Sequence, residues 1–519
     1  MHWAYKIANE LINTYPNKDT FVCASGISPS GSVHIGNFRE IVTTHFVVKA
    51  LQHLGKKTRF IFSWDDYDRF RKVPKNVDPS FEKYIGMPYA DIPDPFGCHA
   101  SYAEHFEQEF EKSLAVFGIE VEFLYQSKEY RTGRYNKHIL HALKQRKEIY
   151  DIITDFKTGD SSEEEKNNFY PVALYCENCG KDHTEIKRFD EENETIAYVC
   201  SCGNHSVLSV MSANNMKLNW KIDWPMRWMV EDVVFEPGGR DHSSETGSYN
   251  VSKEIAKRIF NYEAPSYVAY DFIGIKGDHK KMSSSAGNII TPSELLNIYS
   301  PEIILFMFSK YKPEASFNIG LDEDVIRNYS EYERFRDSYR NGILQDEDIC
   351  SSLELSKVNG ENVTLLKFNQ VAGILPLVNF QVQALQNVLS KTGEEYTISD
   401  IKKISDRVEY WVKNWYPQNM ICVNDKKDIE YYETLNEVQK KWLQELCDII
   451  RDSSKINDEP FMEKIYAICH DDDKKIMRAN QKLLFTMVYR LVLNSSSGPR
   501  LPILVEAVGG ERMIALLDF

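Results

Sequence analysis

The run from Thr20 to Trp64 constrains this chain more than any other stretch. TFVCAS (20–25) is a short β-rich segment, and a Gly/Ser/Pro turn from Gly26 to Gly31 follows it. A helical pattern then extends from about His34 to Leu54, and KTRFIFSW (57–64) reads as a second strand that ends in Asp65-Asp66-Tyr67-Asp68. A helix at 100–117 and a third strand near 120–125 continue the order, and DVVFEP (232–237) and SYVAYDFIGI (266–275) are later strands. Strand, turn, helix and strand in this sequence predict a parallel α/β sheet with crossover helices. The stretch 85–215 interrupts that sheet and reads as an insertion. After Thr291-Pro292, with Thr291 as N-cap, the pattern is helical almost to the end. It breaks near 391–400 and 420–430 and at Ser495-Ser496-Ser497-Gly498-Pro499. No internal repeat is present. The expected organisation is a Rossmann-like catalytic domain (1–84 and 216–290), the insertion (85–215), a helical region (291–390) and a second helical domain (391–519).

At 519 residues the chain is too long for one core, and about 150 residues per domain suggests three or four. No stretch approaches 18 consecutive apolar residues, so a membrane-spanning helix is not expected. The N-terminus reads as an amphipathic helix rather than a signal peptide, which predicts a cytoplasmic protein with reduced cysteines. The net charge of −15 argues by itself against a nucleic-acid partner. Its distribution weakens that inference. Residues 151–210 hold 13 acidic against 5 basic side chains, whereas 351–519 hold 24 against 21.

Two loops carry chemistry. Gly26-Ile27-Ser28-Pro29-Ser30-Gly31-Ser32-Val33-His34-Ile35-Gly36-Asn37 leaves the first strand and opens the first helix, where free backbone N–H groups and the helix dipole attract phosphate. His34 can bond phosphate oxygens, Gly36 lets a base approach the backbone, and Asn37 adds a donor. The second loop, Lys280-Lys281-Met282-Ser283-Ser284-Ser285-Ala286-Gly287-Asn288, follows the last strand. Ammonium groups beside a Ser/Gly loop suit a pyrophosphate that is gripped in the transition state and then released. Strand ends in this order can converge at the switch point of a doubly wound sheet.

Five of the ten cysteines lie between 98 and 202. Cys176-x-x-Cys179 and Cys200-x-Cys202 flank an acidic hairpin, and two close thiolate pairs match a tetrahedral structural zinc site. His183 or His205 can replace one sulfur. Asp94, Cys98, His99 and His105 form a second mixed ligand set acceptable to zinc. The spacing of seven puts Cys98 and His105 on one helix face, although His105 can also simply cap or pack. The remaining cysteines, Cys23, Cys350, Cys422, Cys447 and Cys469, read as core.

His34-Ile35-Gly36-Asn37 and Lys281-Met282-Ser283-Ser284-Ser285 resemble the two signature motifs of class I aminoacyl-tRNA synthetases. WDDYDRFRKVP (64–74) and PGGRDH (237–242) are similar to the class I lysyl-tRNA synthetase family, and the Gly509-Gly510-Glu511-Arg512 region resembles its helical anticodon-binding cage. Two departures stand out. Many class I enzymes have histidine where Asn37 stands and lysine where Ser284 stands, so either the triphosphate needs only Lys281 or Lys280 partly substitutes. The resemblance implies ATP, Mg²⁺, L-lysine and tRNA(Lys), transfer to the 2′-hydroxyl, a stem-contacting role for 291–390 and an anticodon-binding role for 391–519. It also implies two structural zinc ions, and the chain is expected to be a monomer. Catalysis falls to His34, Asn37 and Lys281, and ATP binding also to Ser30, Gly36, Lys280, Ser283, Ser284 and Ser285. The amino-acid pocket is expected from Gly26, Ser28, Asp65, Asp66, Trp220, Asp241, His242, Tyr267 and Tyr270. Trp220 also fits a core stripe with Trp224 and Trp228. The competing readings are a nucleotidylyltransferase, a synthetase for glutamate, and a zinc-bearing tRNA-binding paralogue without activity.

Overall fold

The computed structural model describes residues 1–157, 162–277, 289–358, 366–391, 393–453 and 459–519. They form two compact units. The first comprises Met1–Leu296, Pro301–Ile319 and Asn341–Asn359, and the second comprises Asn297–Ser300, Gly320–Arg340 and Gly360–Phe519.

In the first unit, β1 (Thr20–Ile27), β2 (Lys57–Trp64) and β3 (Glu122–Tyr125) are followed by five insertion strands and by β9 (Val233–Phe235). The insertion strands are β4 (Val172–Leu174), β5 (Thr184–Asp190), β6 (Thr195–Cys200), β7 (His205–Ser209) and β8 (Met216–Leu218). The central sheet has the order β3-β2-β1-β9 and is parallel throughout. Phe21 to Ser25 of β1 are buried, as both faces of an inner parallel strand must be. Helix α1 (Trp3–Thr14) precedes β1, α2 (Ile35–His53) crosses from β1 to β2, and α3 (Tyr102–Val116) leads into β3. Helix α2 is buried along most of its length, including Ile35, Phe38, Ile41, Val42, Phe46, Val47, Ala50 and Leu51. Gly26 lies opposite Ser63, and Ile27 opposite Trp64. The residues that follow β1 and β2 therefore emerge side by side. Beta strands 2 and 9 flank β1 on opposite edges, which is the geometry of a switch-point crevice.

The run 266–275 is not one strand. It divides into β11 (Ala269–Tyr270), which pairs with β10 (Gly238–Gly239), and β12 (Ile273–Ile275), which pairs with β13 (Phe317–Ile319). Asp271 makes the break: its N–H bonds the carbonyl of Pro313 at 2.9 Å, and its carboxylate accepts from Phe272 N–H at 2.8 Å. β13 is also a strand inside the stretch expected to be helical. Thr291 does cap a helix: its hydroxyl accepts from Glu294 N–H at 3.2 Å, and its own N–H donates to Glu294 at 2.9 Å.

The insertion carries an antiparallel meander, β5-β6-β7, and the pair β4-β8. Tyr67, Tyr130, Tyr135, Ile196, Tyr198 and Met216 build its core. The second unit contains helices Phe368–Ile374, Val382–Lys391, Ile398–Asn414, Glu437–Asp452, Lys474–Leu493, Leu501–Val508 and Gly510–Leu517. Leu446, Cys447, Ile465, Met487, Leu491, Leu504 and Met513 close one of its cores. Cys23, Cys447 and Cys469 are buried as expected, but Cys422 is exposed.

Candidate functional site

A cleft of about 1140 Å³ opens at the carboxyl ends of β1 and β2. Of the residues singled out in the sequence, Gly26, Ser28, Ser30, His34, Gly36, Asn37, Asp65, Trp220, Asp241, His242 and Tyr270 line it. Asp66 and Tyr267 do not. The Asp66 carboxylate is engaged by Ser127, whose N–H donates at 2.7 Å, while Tyr267 stacks on Tyr249 at 3.8 Å and bonds Ser243 at 2.7 Å. Tyr267 nevertheless shapes the wall. It packs so closely on Gly238 that a Cβ there has no room. Lys280, Lys281, Ser283, Ser284 and Ser285 lie outside the described residues.

His34 is the N-cap of α2. Its Nδ1 accepts from Gly36 N–H at 3.1 Å and from Asn37 N–H at 3.3 Å, and Ile35 N–H donates to the Ile290 carbonyl at 2.9 Å. The first amides of α2 are thus engaged rather than free, contrary to the sequence expectation. The capping has a chemical consequence. An Nδ1 that accepts leaves the neutral ring's proton on Nε2, the tautomer that can donate to a phosphate oxygen.

Beneath the cleft lies an ionic network. Arg227 Nη1 bonds Asp65 at 2.9 Å and Ser63 Oγ at 2.6 Å, and its Nη2 reaches Asp223 at 3.1 Å. Lys217 pairs with Asp68, which also accepts from Ser28 Oγ at 3.2 Å. Tyr130 donates to Asp223. Three carboxylates thus pair with two cations, Arg227 and Lys217, beside Ser28, and the Arg71 charge also reaches Asp68. Burial pushes the Asp65 carboxyl up to about 6 despite Arg227. Burial also acts on Asp68, but the Lys217 ammonium outweighs it and holds that carboxyl below the usual range.

Two further wall carboxylates were not found in the sequence. Glu40 of α2 accepts from Gly26 N–H at 2.9 Å and from Tyr270 OH at 2.8 Å. Glu236, after β9, accepts from Trp228 Nε1 at 2.6 Å. Burial raises Glu40 to about 8 and Glu236 to about 7. Among the described residues neither forms an ion pair with a cation. Neither is announced locally: Glu40 follows Arg39 in a helix that also carries Asn37, Thr43, Thr44, His45 and Lys49, and Glu236 lies just past β9. Arg227 stands seven residues after Trp220, hence on the same helix face, and lies 5.3 Å over its ring. The tryptophan stripe serves two purposes. Trp220 and Trp224 stack at 5.0 Å and line the cleft beside His242, while Trp228 is buried core.

Both metal clusters assemble. Cys176 and Cys202 sulfurs lie 3.7 Å apart, as do those of Cys179 and Cys200. Four thiolates at about 2.3 Å around a tetrahedral zinc stand about 3.8 Å from one another, so the sulfurs fit the ion. Side-chain amides of Asn204 and Asn178 donate to Cys176 and Cys202. His183 and His205 are not part of the set. In the second cluster Cys98 Sγ lies 3.1 Å from His99 Nδ1 and 3.3 Å from His105 Nδ1, and Asp94 lies 3.3 Å from His105 Nδ1. Cys98 is in the loop before α3, not on the helix, and only His105 is helical. Asp94 shapes that loop by accepting from the N–H groups of Phe96, Cys98 and His99.

A parallel sheet whose first strand delivers a capped H-x-G-N loop into a cleft defines a nucleotide-handling α/β protein. A family model described as "tRNA synthetases class I (K)" matches residues 1–359. A lysine–tRNA ligase of Treponema pallidum is 33% identical, with 100% of this chain and 98% of that protein covered. Those of Borreliella burgdorferi and Pyrococcus horikoshii are each 34% identical, covering 98% and 96% of this chain and 98% and 96% of theirs. The chain belongs to the class I tRNA synthetases of the (K) family.

Proposed function

We propose that this chain activates L-lysine with ATP and transfers it to the 2′-hydroxyl of the terminal adenosine of tRNA(Lys). Family membership over the full length supports the reaction, and one observation supports the amino acid. The cleft joins a phosphate loop to two buried carboxylates, Glu40 and Glu236, that form no ion pair with a cation among the described residues. The Asp65 and Asp68 carboxylates beside Ser28 suit the α-ammonium of the substrate. The ε-ammonium goes to Glu40, oriented by Tyr270, and the apolar stem lies against Trp220 and Trp224 with His242 beside them. Among the described residues a glutamate side chain would find no ion-paired cation beside Glu40 and Glu236 for its own carboxylate, and the ionised fraction of those acids would repel it.

Activation needs no protein nucleophile. The lysine carboxylate attacks the α-phosphorus in line, and the chain positions the groups and stabilises charge. His34 Nε2–H, Asn37 and Lys281 hold the transferring phosphates; Ser30, Gly36, Lys280, Ser283, Ser284 and Ser285 complete the ATP site. Mg²⁺ supplies charge neutralisation on the phosphates. Asp241 edges the amino-acid end, while Asp66 and Tyr267 act behind the wall. Zinc at Cys176, Cys179, Cys200 and Cys202, and at Asp94, Cys98, His99 and His105, is structural, because each set offers four ligands and no open position. The segment 291–390 contacts the tRNA stem and 391–519 reads the anticodon. The protein works as a cytoplasmic monomer; among the described residues no helix is long and apolar enough to cross a membrane.

The deciding experiment is amino-acid-dependent ATP–pyrophosphate exchange, with and without tRNA. Lysine should support exchange and glutamate should not. Absence of lysine-dependent exchange under both conditions overturns the reading.

A further inference from the structure

The chain's acidic surface has one conspicuous exception at the cleft. Arg69, Arg71 and Lys72 line it on a loop that follows β2, together with Pro74 and Tyr89. Arg71 and Lys72 are exposed, and among the described residues neither makes a hydrogen bond or an ion pair. The Arg71 charge is felt at Asp68, Tyr89 and Asp182, which places it at the amino-acid side of the cleft.

This loop is anchored. Phe70 N–H bonds the Met87 carbonyl at 2.7 Å, and Gly86 N–H bonds that of Phe70 at 3.0 Å. Gly86 is in turn tied to the four-cysteine knuckle, because Asp182 N–H donates to its carbonyl at 2.8 Å. Gly86 has φ +94°, and a Cβ there would run into the His183 ring. Arg69 closes the tie with a salt bridge to Asp182 at 3.1 Å. Two unpaired cations are therefore carried on a braced loop, which lowers the ordering cost of gripping an anion.

The triphosphate has its own loop, which follows β1 and carries His34, whereas the Arg71 loop follows β2 and is braced from the insertion side through Met87 and Asp182. The remaining polyanion in the reaction is the nucleic acid, whose terminal adenosine must reach the activated carboxyl from the open side of the amino-acid end. We propose that Arg71 and Lys72 form a receiving lip for the backbone phosphates of the single-stranded 3′ end of the tRNA. This deepens the proposed function and rests on it.

The test compares two RNAs, complete tRNA(Lys) and the same transcript lacking its three 3′-terminal nucleotides, on the full chain and on R71A/K72A. The double variant should bind complete tRNA roughly tenfold more weakly, and two lost single-strand phosphate contacts should lower the salt slope of binding by about 1.4. The truncated RNA should bind both proteins alike. KM for ATP and for lysine at saturating tRNA should not move, and R71K/K72R should restore binding. An equal loss on truncated RNA, no loss on complete tRNA, or a raised KM for ATP would overturn the lip while leaving lysine charging intact. If the wild-type chain neither binds nor charges tRNA(Lys), the proposed function falls, and the lip with it.

Discussion

Glu40 is a carboxylate that the protein holds largely protonated near neutral pH, because burial raises it to about 8. A lysine ammonium binds the ionised form, so binding must first remove that proton. Apparent affinity for lysine therefore grows as pH rises through the free-state value and levels off above it. Between pH 7 and pH 8 the KM for lysine should fall by about fivefold in the wild-type chain. Glu40→Gln should raise that KM by about a hundredfold, the equivalent of about 3 kcal/mol for an ammonium left without its partner. It should also flatten the pH profile. A variant whose profile runs parallel to the wild type's would move the ε-ammonium elsewhere, with Glu236 another buried acid that lines the same cleft. His34 shows a different residue-scale economy. One ring nitrogen caps α2, and that bond sets which proton the other nitrogen offers.

At the scale of elements, the strands β1 and β2, the crossover α2 and the cysteine hairpin were all legible, because each is written locally. Apolar runs bounded by turn residues and a 3.6-residue period need no distant partner to be recognised. What stayed hidden was set by tertiary pairing. The break at Asp271 depends on Pro313, a residue 42 positions away, and β13 exists only because β12 lies beside it. Glu40 escaped for the same reason: nothing near it in sequence announces that Gly26 and Tyr270 will converge on its carboxylate. The knuckle, by contrast, makes a sharp demand on one element. Cys176, Cys179, Cys200 at the end of β6, and Cys202 gather at one end of a three-stranded meander whose outer strands, β5 and β7, contain no fully buried residue. A zinc held there would brace strands that bury little surface of their own. Metal analysis of dialysed protein should find two zinc ions per chain, and Cys176→Ser should retain one. Hydrogen exchange in that variant should lose protection in β5 to β7 while β1 keeps it. One zinc or none in the wild type would remove the two-site assignment.

For the whole molecule, the net charge of −15 sets how an RNA partner can be bound at all. The acidity is concentrated: residues 151–210 carry 13 acidic and 5 basic side chains, and the acidic helix Glu163–Asn168 lies there. Residues 351–519 are nearly balanced and supply 21 Lys/Arg, enough for a one-sided basic face. Polyanions in general therefore meet repulsion over much of the surface, and only one that fits the basic positions is retained. Such binding releases counterions at each phosphate contact. With four or more contacts, raising the salt from about 50 mM to about 200 mM should weaken tRNA(Lys) binding on the order of a hundredfold. A duplex of equal length and no matching shape should bind poorly even at low salt, because the acidic remainder of the surface opposes it without compensation. Filter binding across that salt range decides the matter. A dissociation constant that barely moves would mean that the interface is built mainly from stacking and neutral hydrogen bonds, and the basic side chains of the second unit would lose their assigned role. A steep slope shared equally by tRNA and duplex would keep the charge contacts but deny them any part in selectivity.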